Sequence, residues 1–229
     1  MTDHAGEHGA QYASVLSKDK RIGYGSAPAV VIVDLQRYAT DTDSPLFCEA
    51  ARNVLDANAR LIETARATST PVIYVANVFS AGQEEAECAV YLSKFTGFMH
   101  FSETSELSQI APEIAPQPGE VVVRKQMSSG FFQTNLARIL TTMRIDTTVV
   151  TGFATSGCLR ATVVDALFHG YRPILPEECI ADRSPAAHTQ NLLDVGLRYA
   201  DVVPLEEVLD YLGSVREGAS LVGAAGGGR

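Results

Sequence analysis

Three residues able to act together on an amide carbon stand at the ends of strand-like runs. Asp34 closes Ala29-Val30-Val31-Ile32-Val33, Lys125 closes Val121-Val122-Val123-Arg124, and Cys158 follows the turn Gly152-Phe153-Ala154-Thr155-Ser156-Gly157. An acid, an amine and a thiol form a workable set for nucleophilic catalysis. A free thiol has a pKa of about 8.5 and is mostly protonated at neutral pH. A helix N-terminus and a nearby ammonium both favour the thiolate, and here the predicted helix start at Cys158 and Lys125 would supply them. Asp34 can take the thiol proton and pass it to the leaving amine. Backbone N–H groups of the glycine-containing turn can hold the oxyanion, one such donor being worth about 3–4 kcal/mol. Taken singly, each residue also has a structural reading. The Asp could be a turn or cap residue, the Lys a surface charge, the Cys a core residue. The conjunction at three strand ends favours the chemical reading.

Such a conjunction needs a scaffold that brings strand ends together. The apolar runs are short and β-branched: AVVIVD (29–34), PVIYVANVF (71–79), EVVVRK (120–125), TTVVTGF (147–153), YRPILPE (171–177) and DVVPL (201–205). Continuous apolar runs bounded by turn residues suit strands buried on both faces, hence a parallel sheet. Helical patterns lie between them at 49–68, 131–143, 158–170 (capped by Gly170) and 186–200. The fold class is α/β: a doubly wound, mainly parallel six-stranded sheet with helices on both faces. Ligands in such sheets bind outside the carboxyl ends of the strands, where Asp34, Lys125 and Cys158 stand.

The 229 residues are 46% hydrophobic and 20% charged, a globular composition. They read as an N-terminal arm (1–20, whose QYASVLSKD suits a short helix), one domain (21–215) and a small-residue, Gly-rich tail (216–229) expected to be disordered. No internal repeat is present. The net charge of −9, with no Lys/Arg cluster, argues against nucleic acid as a partner. The polar start lacks a signal pattern, and no apolar run is long enough to span a membrane. Cys48, Cys88, Cys158 and Cys179 form no CxxC pair and no zinc-finger spacing with histidine, which suits thiols of a reducing compartment and a cytoplasmic location.

The segments VIVDLQ around Asp34, RKQMSSGFFQTNL around Lys125 and VTGFATSGCLRATVVDALFHGYRP around Cys158 resemble the isochorismatase-like cysteine hydrolases. The resemblance covers roughly residues 25–210 and points to the branch of N-carbamoylsarcosine amidase and maleamate amidase. It implies a dimer or tetramer, with Cys158 as nucleophile and Asp34 and Lys125 as the other triad members. It also implies a cis peptide at Phe153–Ala154 and an oxyanion site formed by the N–H groups of Ala154 and Cys158. Isochorismatases proper lack the nucleophilic Cys, so Cys158 argues against that activity. Nicotinamidases carry an Asp-x-His metal site with further histidines. The five histidines here (His4, His8, His100, His169 and His188) make no such cluster, so no catalytic metal or other cofactor is expected. His169 and His188 read as structural.

By the same resemblance, Arg183 grips a substrate carboxylate, a task suited to a planar guanidinium. Its alternative is a helix-entry residue paired with a surface acid. Arg160 reads as a packing or ion-pair residue. Of Phe131 and Phe132, one would wall the pocket, and Phe132 is the candidate. The irregular segment 80–106 suits a lid. The expected activity is release of ammonia from a linear amide or carbamoyl group of a small acid through a thioester. N-carbamoylsarcosine leads, with maleamate and biuret-like ureides as alternatives. A thiol redox protein, with Cys179 as resolving partner, is a second class.

Overall fold

The first strand, β1 (Pro28–Val33), is buried at every position. Val30 and Ile32 enter one hydrophobic cluster, while Ala29, Val31 and Val33 enter another. A strand covered on both faces has no polar face to show, which is why its run is continuous and not alternating. The computed structural model describes residues 20–95 and 101–225. Residues 1–19, with the expected QYASVLSKD helix, and 226–229 lie outside the described residues.

The other strands are β2 (Val72–Asn77), β3 (Val121–Lys125), β4 (Thr147–Phe153), β5 (Arg172–Pro176), β6 (Ile180–Ala181) and β7 (Asp201–Val203). The path runs β3-β2-β1-β4-β5-β7, and every pairing is parallel. All six expected strands are present. The two-residue β6, pairing with β4 beyond the end of β5, is the addition.

The helices are α1 (Arg37–Thr40), α2 (Glu49–Asn53), α3 (Leu55–Ala67), α4 (Glu84–Lys94), α5 (Leu136–Thr142), α6 (Arg160–Phe168), α7 (Pro185–Arg198) and α8 (Leu205–Ala225). Ala51 of α2, Leu61 and Ile62 of α3, and Val208 and Leu212 of α8 cover the Val30/Ile32 face. Leu136 and Leu140 of α5, Val163 of α6, and Leu192 and Val195 of α7 cover the other. The sheet is therefore doubly wound. Among the described residues no helix is long and apolar enough to cross a membrane.

The elements differ locally from the sequence reading in three places. The helix expected from residue 131 starts at Leu136, because Ser129 Oγ accepts from Phe131 N–H and Thr134 Oγ1 from Leu136 N–H, holding turns instead. Gln133 within these turns has φ 54°. The helix over 49–68 is interrupted at Val54, which has ψ near zero. The sequence reading contained no α8, although Leu205, Val208 and Leu212 recur at helical spacing and are buried. The helix α8 continues into the segment 216–229 that composition marks as a tail. Gly170 does follow α6, with φ 88° and its N–H on Leu167 O.

Candidate active site

Asp34 is the first residue past β1. It lies in the left-handed region at φ 53°, uncommon for a non-glycine residue, with its N–H on Val75 O at 2.9 Å. That turn drops a carboxylate beneath the strand ends, where only 1% of the residue is exposed. Next door, Gly152 of β4 pairs in register with Val33. A Cβ on Gly152 would stand 1.9 Å from Val33 O, and its φ is 120°, so only glycine lets β4 close up here.

Lys125, the last residue of β3, is fully buried. Its Nζ donates to Asp34 Oδ2 at 2.8 Å and to Cys158 Sγ at 3.3 Å. With its amide oriented so that Oδ1 faces the ammonium, Asn77 accepts a third bond from Nζ at 3.0 Å and donates to Lys125 O at 3.2 Å. All three ammonium protons then have acceptors. Asn77 is in register with Lys125 and is held by Gln36, which accepts from Asn77 N–H and donates to Asn77 O.

Cys158 lies in a wide turn, Thr155–Leu159, that precedes α6, and Gly157 within it departs from helical geometry (φ −117°, ψ −109°). The helix expected at Cys158 thus begins two residues later, at Arg160. Ala154 O accepts from the N–H groups of Gly157 and Leu159, at 3.0 and 3.2 Å. The Phe153–Ala154 peptide is cis. Asp182 Oδ2 accepts from Ser156 N–H at 2.7 Å, and Thr155 Oγ1 donates to Ala181 O at 3.0 Å, so the strand β6 and its sequel clamp the turn.

The electrostatic balance at Cys158 runs against the expected resting thiolate. The thiol looks into a cavity but is otherwise enclosed by protein. Burial pushes its pKa up to about 12, the negative charge of Asp34 adds to the rise, and Lys125 opposes it without prevailing. Lys125 is also pulled down by burial, but Asp34 and Cys158 outweigh that and the net shift is upward. The directions of both shifts favour a neutral thiol beside an ammonium at rest. Asp34 Oδ1 is buried and has no hydrogen-bond partner among the described residues.

Cys158 forms part of the floor of a cavity of about 280 Å³. Tyr38, Tyr91, Phe95, Phe101 and Phe153 are among its walls, and Arg183 sits on its rim. Tyr91, Phe95 and Phe101 come from the segment 80–106, which contains α4; residues 96–100 lie outside the described residues. Arg183 follows β6. It donates to Phe47 O at 3.1 Å and to Leu46 O, and its guanidinium lies 5.2 Å from the centre of the Phe153 ring. No carboxylate among the described residues pairs with it.

Cys158, Ala154 and Arg183 thus line one cavity, Lys125 and Asp34 lie buried behind Cys158 in a hydrogen-bonded pair, and Phe132 is left out. Phe132 is half exposed beside Gln126, Met127 and Gln133 in a separate depression, because the turns at 129–135 direct it outward. Phe131 is the buried one and stacks on His169, ring centres 4.9 Å apart. Arg160 donates to Asn191 Oδ1 at 2.7 Å. Among the described residues no group of three or more His, Cys, Asp or Glu side chains could hold a metal ion. Sequence reasoning missed Asn77, Tyr38 and Asp182. The strand-end rule that singled out Lys125 would also have found Asn77, at the end of β2.

Comparison with known proteins agrees with this geometry. An isochorismatase domain model matches residues 28–207. N-carbamoylsarcosine amidase of an Arthrobacter species is 37% identical over 219 residues, covering 93% of this chain and 81% of that one. Maleamate amidohydrolase of Pseudomonas putida is 35% identical over 193 residues, covering 84% and 90%. Among solved structures, N-carbamoylsarcosine amidase from Thermoplasma acidophilum superposes with a TM-score of 0.66 at 29% identity, over 78% of this chain and 96% of that one. A cysteine hydrolase from Pseudomonas syringae superposes at 0.79, over 86% and 97%, and at 21% identity it bears on the fold alone. The chain belongs to the isochorismatase domain family.

Proposed function

We propose that this protein is a cysteine amidohydrolase that releases ammonia from the linear amide or carbamoyl group of a small carboxylate-bearing substrate, with N-carbamoylsarcosine as the leading candidate. The observation that carries the reading is the contact of Lys125 Nζ with both Asp34 and Cys158, of which Cys158 faces the cavity. The relatives named N-carbamoylsarcosine amidase and maleamate amidohydrolase support the amide class, and maleamate is the second candidate.

The chemistry starts from a neutral thiol. As Cys158 Sγ bonds to the amide carbon, its proton passes to Asp34, whose Oδ1 has no hydrogen-bond partner among the described residues. The carbonyl electron pair moves to oxygen, where the N–H groups of Ala154 and Cys158 stabilise it. The oxyanion collapses, the C–N bond breaks, and Asp34 returns the proton to the departing nitrogen, which leaves as ammonia. Asp34 then takes a proton from water, whose oxygen attacks the acylated sulfur's carbon. The C–S bond breaks and the proton returns to Sγ. Lys125 keeps its proton throughout and steadies the charge that alternates between Asp34 and Cys158. From N-carbamoylsarcosine the released product is N-carboxysarcosine, a carbamic acid whose carboxyl proton moves to nitrogen as its C–N bond breaks, giving sarcosine and carbon dioxide beside the ammonia already released; from maleamate the products are maleate and ammonia.

The test is ammonia release over a panel of small amides with wild type, Cys158→Ala and Cys158→Ser, joined to intact-mass analysis of acid-quenched turnover. A mass increment on the wild type and near-complete loss of ammonia release in both variants are expected. Substantial turnover by a clean Cys158→Ala protein would remove the thiol from the reaction.

A further inference from the structure

The geometry points to His188 as a positioning residue for the nucleophile turn, donating from Nδ1 to Thr155. This inference rests on the proposed chemistry at Cys158, but its central claim about the proton can be read without turnover.

Thr155 is the residue after Ala154 and is fully buried. Its hydroxyl has two neighbours: Ala181 O at 3.0 Å and His188 Nδ1 at 2.8 Å. A hydroxyl has one proton to give. A peptide carbonyl can only accept, so the Thr155 proton belongs to Ala181 O. The second contact is then favourable only if His188 donates, which puts a proton on Nδ1. Were Thr155 to donate to His188 instead, its oxygen would face the Ala181 oxygen lone pair to lone pair inside the core, where an unsatisfied acceptor is costly.

The chain His188–Thr155–Ala181 joins three elements. His188 is in the first turns of α7, Ala181 ends β6 in register with Phe153 of β4, and Thr155 opens the turn that carries Cys158. Asp182 makes the neighbouring clamp on Ser156 N–H. Removing the His188 donor keeps the Asp182 clamp but leaves Ala181 O alone to hold the Thr155 hydroxyl. The N–H groups proposed to face the oxyanion lie on either side of it, at Ala154 and Cys158. Small misplacements there affect the transition state more than ground-state binding.

The substitution series separates donor position from bulk. Asn places its amide nitrogen where Nδ1 stands, whereas Gln places it near Nε2. His188→Asn is expected to keep kcat within about threefold of wild type, whereas His188→Gln and His188→Leu lose tenfold or more in kcat with KM unchanged and melting temperatures alike. Equal kcat for Asn and Gln, or a loss carried by KM or by melting temperature, overturns the positioning role. Independently, long-range ¹H–¹⁵N spectra of the labelled protein recorded at alkaline pH, with His188 assigned by its absence in His188→Asn, should give the Nδ1–H pattern. An Nε2–H pattern overturns the inference. If no amide is turned over, the proposed function fails, and the spectrum still decides the tautomer.

Discussion

Lys125 Nζ lies 2.8 Å from Asp34 Oδ2, and the two side chains are 0% and 1% exposed. Two buried opposite charges cost much of their attraction in lost hydration, so the pair is weak evidence for stability and stronger evidence for function. The third partner, Cys158 Sγ at 3.3 Å, gives that function its direction.

Breaking the pair from one side should be expensive. Lys125→Met leaves the Asp34 carboxylate buried without its cation and should lower unfolding free energy by about 3–5 kcal/mol. Lys125→Met combined with Asp34→Leu removes both charges and should recover much of that loss while remaining inactive. Urea unfolding of the two variants measures this. A double variant no more stable than the single would mean that packing, not charge, accounts for the cost.

Asp34 should have opposite effects on thiol ionisation and on turnover. Its charge helps hold the Cys158 thiol up at about 12, after burial itself. Asp34→Asn removes that charge while Lys125 continues to favour the thiolate. Iodoacetamide should therefore alkylate Cys158 in Asp34→Asn with an apparent pKa lower than in wild type, even though ammonia release is lost. Alkylation that becomes slower at every pH would show that Asp34 promotes ionisation in the resting enzyme, contrary to the electrostatics above.

The strand ends were legible in the sequence because their apolar runs are continuous and their last residues are polar. Asp34, Lys125 and Cys158 fall on one edge by the strand-end pattern alone. The resting protonation state was not legible. It depends on how completely the chain encloses Cys158, and part of the cavity lining above it, Tyr91, Phe95 and Phe101, comes from a segment without clear periodicity. Phe131 and Phe132 were not separable either, since adjacent residues in a turn point apart by an angle that Ser129 and Thr134 hydroxyls decide. Asn77 and Thr155 look like ordinary strand and turn residues until their hydrogen-bond partners are known.

Stability should fall at alkaline pH. The folded pKa values of Cys158 and Cys179 are both raised, to about 12, first by burial. An unfolded thiol ionises near 8.5, so above that pH the unfolded chain binds fewer protons than the folded one and stability declines. Lys125 has the same sign: its raised pKa contributes stability present below about 10.4, and lost as pH rises through the folded value. Unfolding free energy should decrease between pH 8.5 and 11, and Cys179→Ala should show a shallower decrease from its own, lower starting point. A rising profile would contradict the assigned shifts.

Gly152→Ala should be among the most damaging single-methyl additions. The new Cβ would meet a backbone oxygen at 1.9 Å in a conformation with φ 120°, and neither β1 nor β4 can move without disturbing Asp34. A loss of at least about 3 kcal/mol, or failure to accumulate folded protein, is expected. A variant with wild-type melting temperature and activity would show that β1 and β4 can separate at little cost.

A carboxylate-binding role for Arg183 would separate acidic from neutral substrates. Its guanidinium is fixed by Leu46 O, Phe47 O and the Phe153 ring, yet has no carboxylate partner among the described residues. A substrate carboxylate would supply one. Losing a charge-assisted hydrogen-bonded pair costs about 1.5–3 kcal/mol, roughly tenfold to hundredfold in kcat/KM. Arg183→Ala should therefore reduce kcat/KM for an acidic amide by that factor and leave the corresponding methyl ester nearly unchanged. Arg183→Lys should recover part of the loss, because an ammonium cannot match both carboxylate oxygens. The competing role is mechanical. By bridging the Leu46 and Phe47 carbonyls, Arg183 also ties down a loop at the cavity rim. If that were its main task, acid and ester would suffer alike in Arg183→Ala, and Lys would rescue both equally. A wild type that prefers the ester would transfer the proposal to uncharged amides such as biuret-like ureides, leaving the chemistry at Cys158 in place.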